Sequence, residues 1–177
     1  MEQNEKDMYY LKIALQVSKR STCLRRKYGA VIVKDDRILS TGFNGAPRGH
    51  INCTKIGTCK RTELNIPHGK QYELCRAVHA EQNAVIFADY SDMQNATLYL
   101  AGMSADGEVL AYPECCDMCK RVILNARISR VVYLQPQVYD YDKALVIHPF
   151  MDWIEGQVSG GVINGVAADQ LGKQSSC

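Results

Sequence analysis

Two short runs carry the residue types of metal-assisted hydrolysis: His79-Ala-Glu81, and Cys116-Asp-Met-Cys119 within Pro113-Glu-Cys-Cys-Asp-Met-Cys119. Cysteines at i and i+3 at the start of a helix lie on one face, and the positive end of the helix favours the thiolate that binds metal. The imidazole of His79 adds a third ligand. A tetrahedral zinc with three protein ligands keeps its fourth position for water, which is the arrangement of a catalytic site. Glu81 follows His79 by two positions, about 200° around a regular helix, so it belongs beside the metal rather than on it. A carboxylate there can take a proton from water and deliver protons to substrate and leaving group. The competing reading of C-x-x-C as a redox pair lacks its usual βαβ context. Cys115 adjoins Cys116 and could replace it through C-x-x-x-C spacing; the i, i+3 geometry favours Cys116.

A frame must bring these motifs together. The chain has 177 residues, 46% hydrophobic and 23% charged, with a net charge of +2, which fits one ordinary globular domain. At this length one core buries roughly 70% of the surface of the unfolded chain, so the eight cysteines are not needed as disulfide staples. The near-neutral balance provides no broad basic field for a nucleic acid. No stretch approaches the roughly 20 apolar residues of a membrane span, and the first residues lack the basic and apolar regions of a secretion signal. The expectation is a cytoplasmic protein, in which clustered thiols serve as metal ligands or catalytic groups.

Apolar residues at helical spacing predict a first helix over 7–20, with Asp7 as its N-cap. Tyr28–Val33 and Ile38–Gly42, joined by Asp35-Asp36-Arg37, read as a β-hairpin. The segment 43–75 has scattered Gly and Pro and no sustained period, and a loop of that length needs a function or a tie. A second helix is expected over 76–88, a strand over 96–102, a third helix over 116–126 and a strand over 129–135. Weaker patterns place a last strand near 145–147 and a short helix near 152–156. This order implies an α/β fold with helices on the faces of a sheet. After Gln157 the chain is rich in Gly, Ser, Ala and Gln, so residues 1–156 read as the domain and 157–177 as a flexible tail.

The paired motifs resemble the zinc-dependent cytidine and deoxycytidylate deaminases, whose signature is H-x-E with a later P-C-x-x-C. The likeness extends to Thr22-Cys-Leu-Arg-Arg-Lys-Tyr-Gly-Ala-Val-Ile-Val33, to Ser40-Thr-Gly-Phe-Asn-Gly-Ala-Pro-Arg-Gly49 and to Cys75-Arg-Ala-Val-His-Ala-Glu-Gln-Asn-Ala84. These look like the dCMP deaminase branch, including the ComE operon protein 2 group, over roughly residues 8–155. The resemblance implies a three-layer α/β/α sandwich with a mixed central sheet, and conversion of dCMP to dUMP. It makes His79, Cys116 and Cys119 the zinc ligands, Glu81 the proton shuttle and Asn44 a contact to the substrate sugar. A phosphate wants cationic side chains, and Arg26, Lys27 and Arg48 are the candidates.

The resemblance also implies a homo-oligomer, often a hexamer. Some relatives are switched by dCTP and dTTP through a basic residue late in the second helix, where this chain has Asp89-Tyr90; both nucleotides stay as candidate effectors only. Some carry a second zinc, and Cys23 and Cys53 match its position. With Cys59 and Cys75 they could close a structural site that ties the long loop, His50 or His68 replacing one thiolate, against the alternative of four separate packed thiols. Three departures stand out: Cys115 where proline usually precedes the first cysteine, a longer stretch over 100–112, and Arg127 where glycine is common after the third helix.

Overall fold

Strand β1 (Arg26–Lys34) sends Ala30 and Ile32 to one face and Val31 and Val33 to the other, and all four are buried, so both faces must be covered. A computed structural model describes residues 2–67, 69–108, 111, 113–134 and 145–149. In it β1 is central in a five-stranded sheet of order β2-β1-β3-β4-β5, with β2 (Arg37–Phe43), β3 (Thr97–Ser104), β4 (Arg130–Leu134) and β5 (Leu145–Pro149). β1 runs antiparallel to β2 and β3, β4 antiparallel to β5, and β3 parallel to β4. The sheet is therefore mixed, as expected. Its parallel pair requires a crossover, and helix α6 (Asp117–Asn125) lies within it.

Helix α1 (Gln3–Ser18) covers one face, packing Tyr10, Leu11 and Ala14 against Val31, Tyr99 and Val132. Helices α4 (Ala80–Ile86) and α6 cover the other, with Ala80, Ala84, Cys119 and Ile123 against Ile32, Leu98 and Val131. These are the three layers of an α/β/α sandwich, the architecture that the resemblance implies. Both chemical motifs ride on α4 and α6, on the same side of the sheet.

Two glycines set the layer spacing. A Cβ on Gly29 would lie 2.1 Å from the Ala14 carbonyl oxygen, and one on Gly42 would lie 2.2 Å from the Ala80 oxygen and 2.3 Å from the Ala84 nitrogen. The obstacles are helix backbone, which no rotamer change can relieve. Gly42→Ala is expected to push α4 off β2, costing about 1–3 kcal/mol and moving the residues that open α4. Urea unfolding together with zinc content checks this; unchanged values for both would show that α4 does not depend on the close approach.

The first helix starts four residues before its predicted position. Glu2 and Glu5 form the N-terminal capping box, while Asp7, expected as the cap, is fully buried on the inner face. Its carboxylate accepts hydrogen bonds from Tyr99 Oη (2.7 Å), Gln3 Nε2 (2.9 Å) and the Arg130 guanidinium. Helical spacing cannot distinguish a cap from a buried acid whose partner is 123 residues away. The hairpin is where it is expected, but its turn is tighter: Asp35 and Asp36 take φ of 50° and 61°, the left-handed pair of a type I′ turn, and Arg37 already pairs with Lys34 as the first residue of β2.

The unpatterned segment contains α2 (Cys53–Ile56), α3 (Lys60–Glu63) and a 3₁₀ turn, Tyr72–Leu74, elements too short to show a period. A further short helix, α5 (Tyr90–Met93), follows α4. β5 lies where the weak last strand was expected. The helix expected near 152–156 and the tail from 157 lie outside the described residues. No described helix is long and apolar enough to cross a membrane.

Candidate active site

The second helix begins at Ala80, four residues later than its apolar pattern suggests. Val78 is held extended by a bridge to Gly45, with Gly45 N donating to Val78 O at 3.2 Å and Val78 N to Gly45 O at 2.8 Å. That bridge makes His79 the N-cap of α4 rather than a residue within it, and Gln82 Oε1 accepts the His79 backbone N–H at 3.0 Å. Cys116 is likewise the N-cap of α6, one residue outside the predicted start, which puts Cys119 in the first turn. Two helix N-termini therefore meet at one point, where anionic ligands are favoured.

His79 Nδ1 lies 3.5 Å from Cys116 Sγ and 3.3 Å from Cys119 Sγ. All three ligand atoms fall within 4.8 Å of one another, the one such group of three or more among the described residues. Zinc bonds of about 2.0–2.1 Å to nitrogen and 2.3 Å to sulfur, at tetrahedral angles, place N and S about 3.6 Å apart. The observed spacing fits that geometry, and the N₁S₂ donor set suits zinc. Cys115 is not in the group: its thiol is buried and hydrogen-bonded to the Glu81 carboxyl.

The electrostatics agree with this arrangement. A hydrogen bond from the Cys119 thiol, helped against burial by His79, pulls Cys116 down to about 4. The same bond and burial raise Cys119, so the two shifts are two sides of one thiol–thiolate pair. For His79, burial opposes the charged ring, but the Cys116 hydrogen bond and the nearby Glu81 and Cys116 charges outweigh it and raise its pKa. Glu81 is only 5% exposed, and that burial raises its carboxyl above the usual range, with His79 partly opposing. A buried carboxyl that holds its proton more tightly than usual is suited to passing one on.

A cavity adjoins the cluster, lined by His79, Glu81 and Cys116 together with Tyr28, Asn44 and Pro113. Of the four predicted substrate contacts, Asn44 and Arg26 line it. Asn44 is 7% exposed and extends the strand pairing, accepting from Tyr28 N at 2.7 Å and donating to Arg26 O at 2.9 Å. Each end of its amide keeps one further hydrogen-bonding position. Lys27 is not among the lining residues, because alternation along β1 turns it to the opposite face from Arg26 and Tyr28. Arg48 is exposed and stacks 4.0 Å over the Phe87 ring, away from the lining.

Sequence reasoning missed Arg25, Arg61 and Tyr72, which also line the cavity. Arg25 was visible beside Arg26. Arg61 and Tyr72 fall in the unpatterned segment, where no period assigns an inward face. Cys23 and Cys75 line the same cavity. Cys53 is raised first by burial and then by the charges of Cys23, Cys59 and Cys75, so the four thiols are neighbours, although they do not converge as closely as His79, Cys116 and Cys119. His50 is exposed, and His68 lies outside the described residues.

A family model of the cytidine and deoxycytidylate deaminase zinc-binding region matches residues 4–135. The chain belongs to this family. Among the deaminases it resembles, the deoxycytidylate deaminase of Mycobacterium phage D29 is 40% identical over 132 residues, 72% of this chain and 92% of the relative. The deoxycytidylate deaminase of Saccharomyces cerevisiae is 34% identical over 142 residues, covering 80% of this chain and 41% of the yeast protein. Among solved structures, the apo dCMP deaminase of cyanophage S-TIM5 superposes with a TM-score of 0.50 at 27% identity, covering 76% of this chain and 85% of that one. The zinc-binding region of this deaminase family includes both motifs, so the cofactor is zinc.

Proposed function

We propose that the protein hydrolyses dCMP to dUMP and ammonia. The observation that carries the reading is a buried carboxylate, Glu81, against a His-Cys-Cys cluster in a cavity whose lining also includes arginines. The phage D29 relative, a deoxycytidylate deaminase that this chain spans almost completely, supports the same substrate.

His79 Nδ1 and the Cys116 and Cys119 sulfurs hold the zinc, which supplies Lewis-acid activation of water when bound. Glu81 accepts the proton of the attacking water as oxygen bonds to C4 of the cytosine. The carboxyl passes that proton to the ring nitrogen, then takes the proton of the new C4 hydroxyl and gives it to the 4-amino group; the C4–N bond breaks as the C4 carbonyl forms, and ammonia leaves. Water is consumed and no redox partner is needed. Burial of Glu81 keeps that proton from exchanging with bulk water between steps. The free donor and acceptor of Asn44 are available to the sugar, and Arg26 stands on the same strand face as Tyr28 to meet the phosphate.

The ultraviolet change on adding zinc-replete protein to dCMP, with deoxycytidine and dCTP as parallel substrates, tests the reading. Conversion of dCMP in preference to the other two is expected; conversion of none, with dCTP and dTTP also tried as effectors, would sink it.

Cys23, Cys53, Cys59 and Cys75 are proposed to close around a second, structural zinc that ties α2, α3 and the 3₁₀ turn to the strand following Cys23. Their proximity supports this, and a metal would draw the thiols closer than they stand. Elemental analysis should find two zinc ions per chain; one would leave the thiols as packing groups. Assembly into a homo-oligomer, with the hexamer as the expected form, is proposed on the family resemblance and on the exposed Ile86, Phe87 and Tyr90 around the end of α4. A monomer by light scattering would contradict it.

A further inference from the structure

Arg61 is 5% exposed, and no carboxylate among the described residues lies within salt-bridge distance of it. A buried cation is costly unless something pairs with it. Its guanidinium donates to Pro67 O at 2.8 Å and to Gln71 O at 3.0 Å. Those carbonyls satisfy two of five N–H donors and supply no negative charge, so three donors remain on a side chain that lines the cavity.

The position of that charge is fixed by two ring contacts. The Arg61 guanidinium lies 4.6 Å over the centre of the Tyr72 ring, and the Tyr72 ring meets the His79 imidazole edge-on with centroids 4.8 Å apart. Tyr72 thus separates the cation from the metal ligands by the thickness of one side chain. A group bound at the cluster and a group bound at Arg61 can belong to one small molecule, with its reacting base at His79 and its anion at Arg61.

We infer that Arg61 is the residue through which this active site reads the 5′-phosphate of its substrate. The assignment rests on the dCMP reading and deepens it: Arg61 decides between the monophosphate and the uncharged nucleoside. A planar guanidinium with free donors is the side chain best matched to phosphate oxygens. The Pro67 and Gln71 carbonyls hold it in place before substrate arrives, so little side-chain freedom is lost on binding. Arg25 and Arg26 line the same cavity and add to its positive field, but both are only partly buried, and water screens them more than Arg61.

The test compares dCMP with deoxycytidine in the zinc-loaded enzyme, for wild type, Arg61→Gln and Arg61→Lys. In Arg61→Gln the ratio of kcat/KM for dCMP to that for deoxycytidine should fall by roughly ten- to a hundredfold, the worth of a charge-assisted hydrogen bond. Arg61→Lys should recover part of it. Independently of turnover, calorimetric affinity for dUMP should fall in Arg61→Gln while that for deoxyuridine holds.

Equal losses for nucleotide and nucleoside would overturn the assignment and leave Arg61 as a clamp on the Pro67 and Gln71 carbonyls. Because Arg61 also bears on the nearby Cys75, loss of zinc from Arg61→Gln would make it the counter-charge of the thiols, and this too would overturn it. A wild-type enzyme that does not prefer dCMP to deoxycytidine would remove the monophosphate reading itself. A wild type that prefers dCMP and a variant that keeps the preference would remove Arg61 alone.

Discussion

Glu81→Gln should retain its full zinc complement and lose roughly 10²–10⁴-fold in kcat, the usual contribution of a positioned general acid–base group. The substitution is nearly isosteric at a site only 5% exposed, so packing changes little. Glutamine keeps an oxygen to accept from the Cys115 thiol, which donates to Glu81 in the native site. What it cannot do is take a proton from water and return it to the leaving amine. His79, Cys116 and Cys119 are untouched, so elemental analysis should give the wild-type metal content, and dUMP should still bind. Zinc content and kcat measured on one preparation separate the two roles. A variant within about threefold of wild-type kcat, well short of that range, would take Glu81 out of the mechanism. One that had lost its zinc would make Glu81 a support of the metal site instead.

Asp7 and His79 illustrate which features of the fold are legible in order along the chain and which are not. Strands β1 and β2 are readable because both are rich in β-branched residues and flank a pair of aspartates, and both aspartates do adopt positive φ. The helix boundaries at Asp7 and His79 are misplaced for the same reason: the deciding partner is distant. Asp7, on α1, is drawn inward by Arg130 and Tyr99 on two strands of the sheet, and His79 is kept out of α4 by the bridge from Val78 to Gly45. Arg127, noted as a departure from glycine, takes φ of 57°, the left-handed conformation in which glycine is favoured after a helix.

The site divides along the same line. His79, Glu81, Cys116 and Cys119 are legible because each pair is close in sequence and its spacing constrains the chemistry. Only charge marks Lys27 and Arg48 as phosphate contacts, and charge does not say where a side chain points. Alternation along β1 assigns Arg26 to the cavity face and Lys27 to the other, whereas Arg48 finds the ring of Phe87. Arg61 and Tyr72 had no signal to find them by, since the segment that carries them is folded by short helices and by contacts with the cavity wall.

Cys116→Ala should abolish turnover and remove one zinc per chain, because it deletes one of the three ligands of the cluster. Two ligands remain, His79 and Cys119, too few to hold zinc in a catalytic site, where three protein groups are the rule. Cys115 cannot take over without a backbone rearrangement: its thiol is 2% exposed, packed in the core and hydrogen-bonded to Glu81. Metal that binds the folded chain alone also stabilises it by mass action, so the variant should melt below wild type. A chelator should then lower the wild-type Tm by more than it lowers that of the variant, because the contribution of the metal at the His79 cluster is already gone. Full zinc content in Cys116→Ala would show that Cys115 had turned outward and replaced it. The double variant Cys115→Ala/Cys116→Ala would confirm the exchange by losing that zinc, and the ligand set would then be His79, Cys115 and Cys119.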